Sequence, residues 1–275
     1  MSDPLDFSGK TVLVIGGTSG INLGIAAAFF ANGATLGVAS RSPEKVDAAV
    51  QKLSAPGREA LGFSADVRDV DALQSGLTAV AEAWGRIDVL IVGQAGNFPA
   101  PALGMSSNAF RSVVDIDLLG TFNVVRHAHQ YLTRPGGCII NISAPQAFVP
   151  MELQVHVCAA KAGVDMITRV LAMEWGGEGI RVNSIVPGPI EGTEGMKRLA
   201  PTPELQHAVG ESVPLGRWGT LQDIGNCAMF LASPLAAYIS GAVIPVDGGW
   251  SLGGLSAQSH ELAKYFQKAG EGRDD

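Results

Sequence analysis

Tyrosine is nearly missing from this chain: Tyr131, Tyr238 and Tyr265 are the full set in 275 residues. They fall at the end of a predicted helix, ahead of the last predicted strand and in the tail, so chemistry that needs a phenolic proton finds few places to act. Cysteine is equally sparse. Cys138, Cys158 and Cys227 are far apart in apolar segments, which excludes a disulfide framework or a thiolate metal site and fits buried thiols in a reducing compartment. No metal is expected, and the location expected is cytoplasmic. Basic residues are outnumbered, 19 against 26, for a net charge of −7. That excludes the basic face a nucleic-acid partner requires. No apolar run reaches the roughly 18 residues of a membrane helix. The first residues, MSDPLDFSGK, are too acidic and polar for a signal peptide, and the last, GEGRDD, do not form a Ser-Lys-Leu-type address. No linker, repeat or low-complexity stretch divides the chain, so residues 1–275 read as one domain.

Apolar material is plentiful at 47% of the chain, enough for one large core. It is dealt out in short β-rich runs: TVLVIG (11–16), TLGVAS (35–40), EALGFSAD (59–66), IDVLIVG (87–93), GCIINIS (137–143), IRVNSIV (180–186) and AVIPVD (242–247). The runs are nearly continuous in apolar character, as in parallel strands covered on both faces. Helical patterns separate them, at 25–32, 43–53, 70–84, 107–132, 153–176 and 221–233. Strands alternating with helices predict an α/β fold, a doubly wound parallel sheet of seven strands. Its strand C-terminal ends form the rim where ligands bind.

The sequence GGTSGINLG (16–24) follows the first strand and opens a helix. Small residues there let backbone approach a pyrophosphate, and the helix N-terminus offers free N–H groups. Gly16, Thr18, Ser19, Gly20, Ile21 and Asn22 are the candidate phosphate binders. Asn22 stands where a third glycine is usual; it tolerates left-handed backbone and can donate a hydrogen bond. The second strand ends in Ser40-Arg41-Ser42. An NAD site carries an acid there for the ribose hydroxyls. Arg41 and the serines instead suit a 2′-phosphate, which predicts NADP(H); a merely solvated arginine is the alternative.

The segment VHVCAAKAGVDMITRVLAMEWGGEGIRVNSIVPGPI (155–190) resembles the catalytic half of a short-chain dehydrogenase/reductase. That family pairs the lysine of a Tyr-x-x-x-Lys helix with a serine and an asparagine upstream. Lys161 is present, but Val157 stands at the tyrosine, Ala144 at the serine and Asp117 at the asparagine. Gly16-x-x-x-Gly20-x-Asn22 is similar to the family's glycine turn, Asp66-Val67 to its adenine-contacting position, and Gly93-Gln94-Ala95-Gly96 to its Asn-Asn-Ala-Gly turn. Further stretches at 95–110, 114–126, 153–169, 172–184 and 187–199 resemble 2,4-dienoyl-CoA reductases, more the peroxisomal type than the mitochondrial one. The likeness runs from the first strand to Asp247-Gly248-Gly249 and implies a Rossmann-type fold.

The resemblance also implies an activity. NADPH would deliver hydride to a conjugated dienoyl thioester, so no oxygen at the hydride centre needs a proton, and the lost tyrosine is explained. Lys161 and Asp117 would be the catalytic pair, with Lys161 on the nicotinamide ribose. Ser40, Arg41, Ser42, Asp66, Val67, Gln94, Ala95 and Gly96 would line the cofactor. Pro187, Gly188, Pro189, Ile190, Gly192 and Thr193 would wrap its nicotinamide end, in a substrate loop over about 187–215. Arg68, Phe98, Ser106, Ser107, Asn108, Gln146, His156 and Arg198 would face the acyl-CoA; Gln146 stands where the mitochondrial type has its own tyrosine. Family habit implies a homotetramer. Bland readings stay open: a structural role for Asp117, a packed His156 and a solvated Lys197–Arg198 pair. So do two other functions, a carbonyl reductase or alcohol dehydrogenase and a silent NADP-binding protein. The tail, 258–275, is expected to be a short helix and a frayed end without chemistry.

Overall fold

The computed structural model describes residues 3–271. Seven strands, β1 (Thr11–Ile15), β2 (Thr35–Ser40), β3 (Leu61–Ser64), β4 (Val89–Val92), β5 (Cys138–Ile142), β6 (Arg181–Pro187) and β7 (Val243–Val246), form one sheet in the order β3-β2-β1-β4-β5-β6-β7. Every pairing is parallel. All seven predicted runs became strands. Residues alternate faces along β1: Val12 and Val14 enter one core layer with Ile25, Phe29 and Ile224, while Leu13 and Ile15 enter the other with Leu73, Leu77 and Val124. Both faces are therefore apolar, as a doubly covered sheet demands. The strand order reverses between β1 and β4, and a crevice opens at their C-terminal ends.

The helices are α1 (Gly20–Ala31), α2 (Pro43–Lys52), α3 (Val70–Trp84), α4 (Ser107–Val113), α5 (Gly120–Ala128), α6 (Val155–Trp175), α7 (Glu194–Leu199), α8 (Pro203–Ser212), α9 (Leu221–Ala232) and α10 (Gly254–Glu271). Three departures from the sequence reading matter for the site. The expected helix over 107–132 is broken: residues Val114–Leu119 form a π-helical segment between α4 and α5, and Asp117 lies inside it. Wider π turns re-aim side chains and recur at functional sites. The substrate loop also contains two helices, α7 and α8. Finally, the expected short helix of the tail is a long one, α10, and it packs on the substrate loop. Leu255 and Leu262 of α10 are buried with Met196, Leu199, Leu205 and Val209 of α7 and α8, Gln258 donates to the Leu199 carbonyl at 2.9 Å, and the Glu152 amide donates to Ser259 at 2.7 Å. Part of the tail expectation, residues 272–275, lies outside the described residues.

Helix α9 packs on α1 and starts with a capping box. Thr220 Oγ1 accepts from the Asp223 amide at 3.2 Å, Asp223 accepts from the Thr220 amide at 2.7 Å, and Arg217 grips the same carboxylate at 2.8 and 3.0 Å. The Arg217 guanidinium and the Thr220 amide hold the Asp223 carboxyl well below the ordinary range. A depressed pKa adds stability above the unfolded carboxylate's titration that is lost as pH falls through the folded value. Asp223→Ala should therefore lower neutral-pH stability by about 1 kcal/mol in denaturant melts, and the gap to wild type should close in strong acid.

Candidate active site

The C-terminal ends of β1, β2, β3 and β4 open onto a cleft of about 560 Å³. It brings together Gly16, Thr18, Ser19, Gly20, Ile21 and Asn22 from the first turn, Ser40, Arg41 and Ser42 from the second, Asp66 and Val67 from the third, and Gln94 and Ala95 from the fourth. Gly192 and Thr193 close the far side. Gly16 and Gly20 turn the chain here at φ +77° and +52°, conformations open to glycine. Helices α2, α3, α4, α8 and α9 are capped by Ser42, Asp69, Ser106, Thr202 and Thr220. The Ser19 side chain makes no cap to α1, so the first α1 amides remain free for an anion. The buried Ser40 hydroxyl and Gln94 carbonyl oxygen line the cleft and have no partner. A dinucleotide's ribose and phosphate groups would satisfy them, so these residues fit a nicotinamide cofactor.

Asn22 plays another part than its left-handed tolerance suggested. It is helical and nearly buried, and its amide donates to the Gly93 carbonyl at 2.6 Å. It thus ties the glycine turn to the end of β4. Ser42 is likewise spent on the α2 cap and on Glu44, at 2.6 Å. Lys45, in the first turn of α2, lines the cleft beside Arg41. Sequence reasoning missed it, although its spacing from Ser42 on an obvious helix was the available signal. Arg68 clasps Asp66 at 2.7 and 3.0 Å, and that hydrogen bonding holds the Asp66 carboxyl below its ordinary value.

Past Gly93-Gln94-Ala95 the cleft meets a buried ion pair. Lys161 Nζ lies 3.3 Å from Asp117 Oδ2 and donates to the Ile142 carbonyl at 3.0 Å. Asp117 is fully buried, and its other oxygen accepts from the Gly96 amide at 2.6 Å. Gln94 donates to Thr121 at 3.1 Å, and Thr121 donates to the Asp117 carbonyl at 2.6 Å. This chain anchors the π segment to the end of β4. The pair unites α6, β5, the π segment and the β4 turn. A buried charge this well partnered persists because losing either partner strands the other. Neither group lines the cleft itself. Gly96 reaches the pair through its amide.

Val157, one turn before Lys161, is buried with Val113 and Ala160, against Phe98 and Leu118. Hydrocarbon fills the space where a phenol would act. His156 is completely buried and stacks on Phe98 with ring centroids 4.4 Å apart. Burial pushes its pKa below the ordinary value, with the Phe98 backbone and Asp117 opposing. Its burial and its stacking on Phe98 fit a packed histidine. Gln146 is buried and donates to Met151 Sδ at 3.4 Å. Arg198 of α7 crosses to the Asn97 carbonyl at 2.8 Å and so pins the substrate loop over the β4 turn. Lys197 pairs with Glu194 at 2.6 Å. Ser106 caps α4 by accepting from the Ala109 amide, and Ser107 and Asn108 at the helix start are exposed. The loop residues after β6 divide. Gly192 and Thr193 reach the cofactor cleft, whereas Pro189 and Ile190 line a second cleft of about 490 Å³ with Pro214, Asp247 and Gly248. Pro187 ends β6, and Gly188 lies against the Asp247 backbone.

The chain is similar to known proteins in sequence and fold. The family model described as Enoyl-(Acyl carrier protein) reductase matches residues 16–251. A rat protein named peroxisomal 2,4-dienoyl-CoA reductase [(3E)-enoyl-CoA-producing] is 45% identical over 242 residues, 87% of this chain and 83% of its own. A protein of the same name from Arabidopsis thaliana is 39% identical over 275 residues, 96% of this chain and 92% of its own. Among solved structures, a short chain dehydrogenase from Bacillus anthracis superposes with a TM-score of 0.78 at 39% identity, covering 88% of this chain and 96% of that one. With its parallel seven-stranded sheet, its glycine turn at the strand-order reversal and its buried lysine, the chain belongs to the short-chain dehydrogenase/reductase family of oxidoreductases, which use a nicotinamide cofactor.

Proposed function

We propose that this protein is an NADPH-dependent reductase of conjugated dienoyl-CoA thioesters, acting in fatty-acid β-oxidation. The observation that carries the reading is the buried Asp117–Lys161 pair at 3.3 Å with valine, not tyrosine, beside it. A ketone reductase must protonate the oxygen at the carbon that receives hydride. The Val157 side chain cannot donate a proton, and the buried His156 is held neutral by its surroundings. A conjugated thioester escapes that demand, because the charge moves along the conjugated carbons to the thioester oxygen and the proton returns at carbon.

When bound, the reduced nicotinamide supplies the hydride. The chain's own residues do the rest. Lys161 sets a positive charge just behind the Gly93-Gln94-Ala95 wall of the cleft, from where it acts on the negative charge that develops in the transition state. Asp117 holds that ammonium in place and keeps the Gly96 amide aimed. The α7–α8 loop, pinned by Arg198, excludes water from the reacting carbons. Arg41 and Lys45 supply the positive charge for a 2′-phosphate.

Loss of NADPH absorbance should be rapid with 2,4-hexadienoyl-CoA and negligible with simple ketones. Fast ketone reduction with no dienoyl-CoA turnover would transfer the assignment to a carbonyl reductase, and inactivity with both would leave a silent binding protein. For the cofactor, Arg41→Ala should weaken NADPH by about 1–3 kcal/mol, the worth of a charge-assisted pair, and leave NADH almost unchanged. Equal losses for both, measured by fluorescence titration, would remove the NADP(H) preference.

Two further readings complete the proposal. The assembly is a homotetramer. Met166, Val170 and Met173 expose apolar side chains at helical spacing along α6, and Leu119 and Phe122 are exposed in and just after the π segment, the kind of surface that subunit contacts cover. The compartment is cytoplasmic, on the strength of three separate free thiols among the described residues. Among those residues no helix is long and apolar enough to cross a membrane.

A further inference from the structure

Among the side chains that line the cofactor cleft, Gln94 faces two ways. Its backbone lies against Gly16 of the glycine turn. Its side-chain amide reaches to the π segment, where Nε2 donates to Thr121 Oγ1 at 3.1 Å and to the Ile116 carbonyl at 3.4 Å. Thr121 is 3% exposed, and its hydroxyl donates to the Asp117 carbonyl at 2.6 Å. A hydroxyl has one proton to give, so toward Gln94 it can only accept. The Ile116 carbonyl can only accept as well. The network therefore fixes which way the amide is turned, with its NH2 group to the π segment and Oε1 to the cleft. That oxygen is buried and has no partner.

Oε1 needs a donor. Along a dinucleotide's backbone the phosphates only accept, whereas the ribose hydroxyls donate. A ribose hydroxyl in the cleft would complete Gln94. An amide that accepts at its oxygen becomes a better donor at its nitrogen. Both donations to the π segment are longer than the usual spacing of about 2.9 Å, so they have room to tighten. The segment is built to feel this. Ile116 itself lines the cleft. The next residue, Asp117, accepts from the Gly96 amide at 2.6 Å and faces Lys161 at 3.3 Å. Where α5 begins, the chain is fixed to the end of β3. Asn123 donates to the Val67 carbonyl at 2.9 Å, and a Cβ on Gly120 would come within 2.5 Å of the Val67 side chain. With that end held, a pull on Ile116 and Thr121 acts on the residues between them, and Asp117 is one of these.

We propose that Gln94 and Thr121 are positioning residues that couple occupancy of the cofactor cleft to Asp117. A ribose hydroxyl on Gln94 Oε1 tightens the relay, and the π segment then holds the carboxylate in its working place beside Lys161. Thr121 touches neither cofactor nor substrate and acts through its two hydrogen bonds. The inference rests on the cleft taking a dinucleotide and on Asp117 serving the reaction, not on which thioester is reduced.

Hydrogen exchange in the full chain tests it, with NADPH as the probe and its binding read separately from nucleotide fluorescence. Leu118, Leu119 and Gly120 are not among the residues that line the cleft, so protection of their amides is transmitted and not direct. In wild type, saturating NADPH should slow their exchange about fivefold, the scale of one strengthened hydrogen bond. Thr121→Val keeps the shape and every cleft-lining side chain but lacks the hydroxyl. Gln94→Met keeps the length but lacks the amide. Both should still bind NADPH, and in both the added protection should vanish. Thr121→Ser, which keeps the hydroxyl, should behave as wild type. With 2,4-hexadienoyl-CoA, kcat of Thr121→Val should fall about tenfold while KM for the thioester changes little, as for a misplaced reacting group. Protection that survives in both variants overturns the proposal. So does a wild-type segment indifferent to bound NADPH, or an unaltered kcat in Thr121→Val beside an active wild type. Variants that both fail to fold or lose NADPH overturn it too, since the relay would then be a structural brace. If no form turns over dienoyl-CoA, the functional assignment fails, yet the exchange rates still decide the coupling.

Discussion

Lys161→Ala and Asp117→Ala should each lower turnover of a dienoyl-CoA at least about a hundredfold, the scale of removing a positioned electrostatic group. The two side chains form one unit: 3.3 Å apart, both buried, each the other's ionic partner. Either substitution disables the unit and leaves a buried charge stranded. The double variant should therefore be little slower than either single one, because members of a unit are not additive. It should also be the more stable, since no lone charge is left in the core. Val157→Tyr should not speed dienoyl reduction, because the reaction asks for no proton on oxygen at the hydride centre. Stopped-flow measurement of the hydride step in the four variants checks this. Near-wild-type rates for Asp117→Ala, or two single losses that multiply in the double variant, would dissolve the unit.

Gly16→Val should abolish measurable cofactor binding and lower the melting temperature as well. Gly16 sits at φ +77°, where a Cβ would lie 2.9 Å from the Gln94 amide nitrogen. A left-handed non-glycine residue costs about 1–2 kcal/mol. The clash here is with backbone, which cannot rotate aside as a side-chain tip can. Relief requires the β1 and β4 turns to part, and those turns are the two walls of the phosphate site. NADPH binding should be undetectable in calorimetry, and added cofactor should no longer raise the melting temperature. Protection by NADPH equal to that of wild type would show that the turn does not hold the pyrophosphate.

Much of the site was legible because its parts follow strands directly. A parallel sheet puts every strand's C-terminal end on one rim, so Gly16, Ser40, Asp66 and Gln94 had to converge once the strands were recognised. Local motif and global position then coincide. Pro189 and Ile190 also follow β6, but they line a second cleft while Gly192 and Thr193 line the first, a division that no periodic signature within a loop announces. Arg68 and Ser106 have partners that the sequence did not announce, Asp66 and the start of α4. A polar side chain in a ligand-rich neighbourhood can be consumed by a carboxylate or a helix end, and that competition is invisible without distances. The tail was underrated because its apolar residues, such as Leu255 and Leu262, are thinly spread. Their partners lie on α7, α8 and the segment before α6, remote in sequence.

The amino-acid sequence by itself determined the strand order's raw material, the glycine turn, the absence of an acid after β2 and the replacement of tyrosine by Val157. These are matters of residue identity and short spacing, and hydrophobic periodicity and steric freedom act locally. Tertiary structure alone decided that Asp117 meets Lys161 and that the Asn22 side chain ties the glycine turn to the Gly93 carbonyl. Each depends on where a side chain ends once the sheet is closed and the π segment has turned Asp117 inward. Burial, which sets the strength of every charge in the site, exists only after the core has formed.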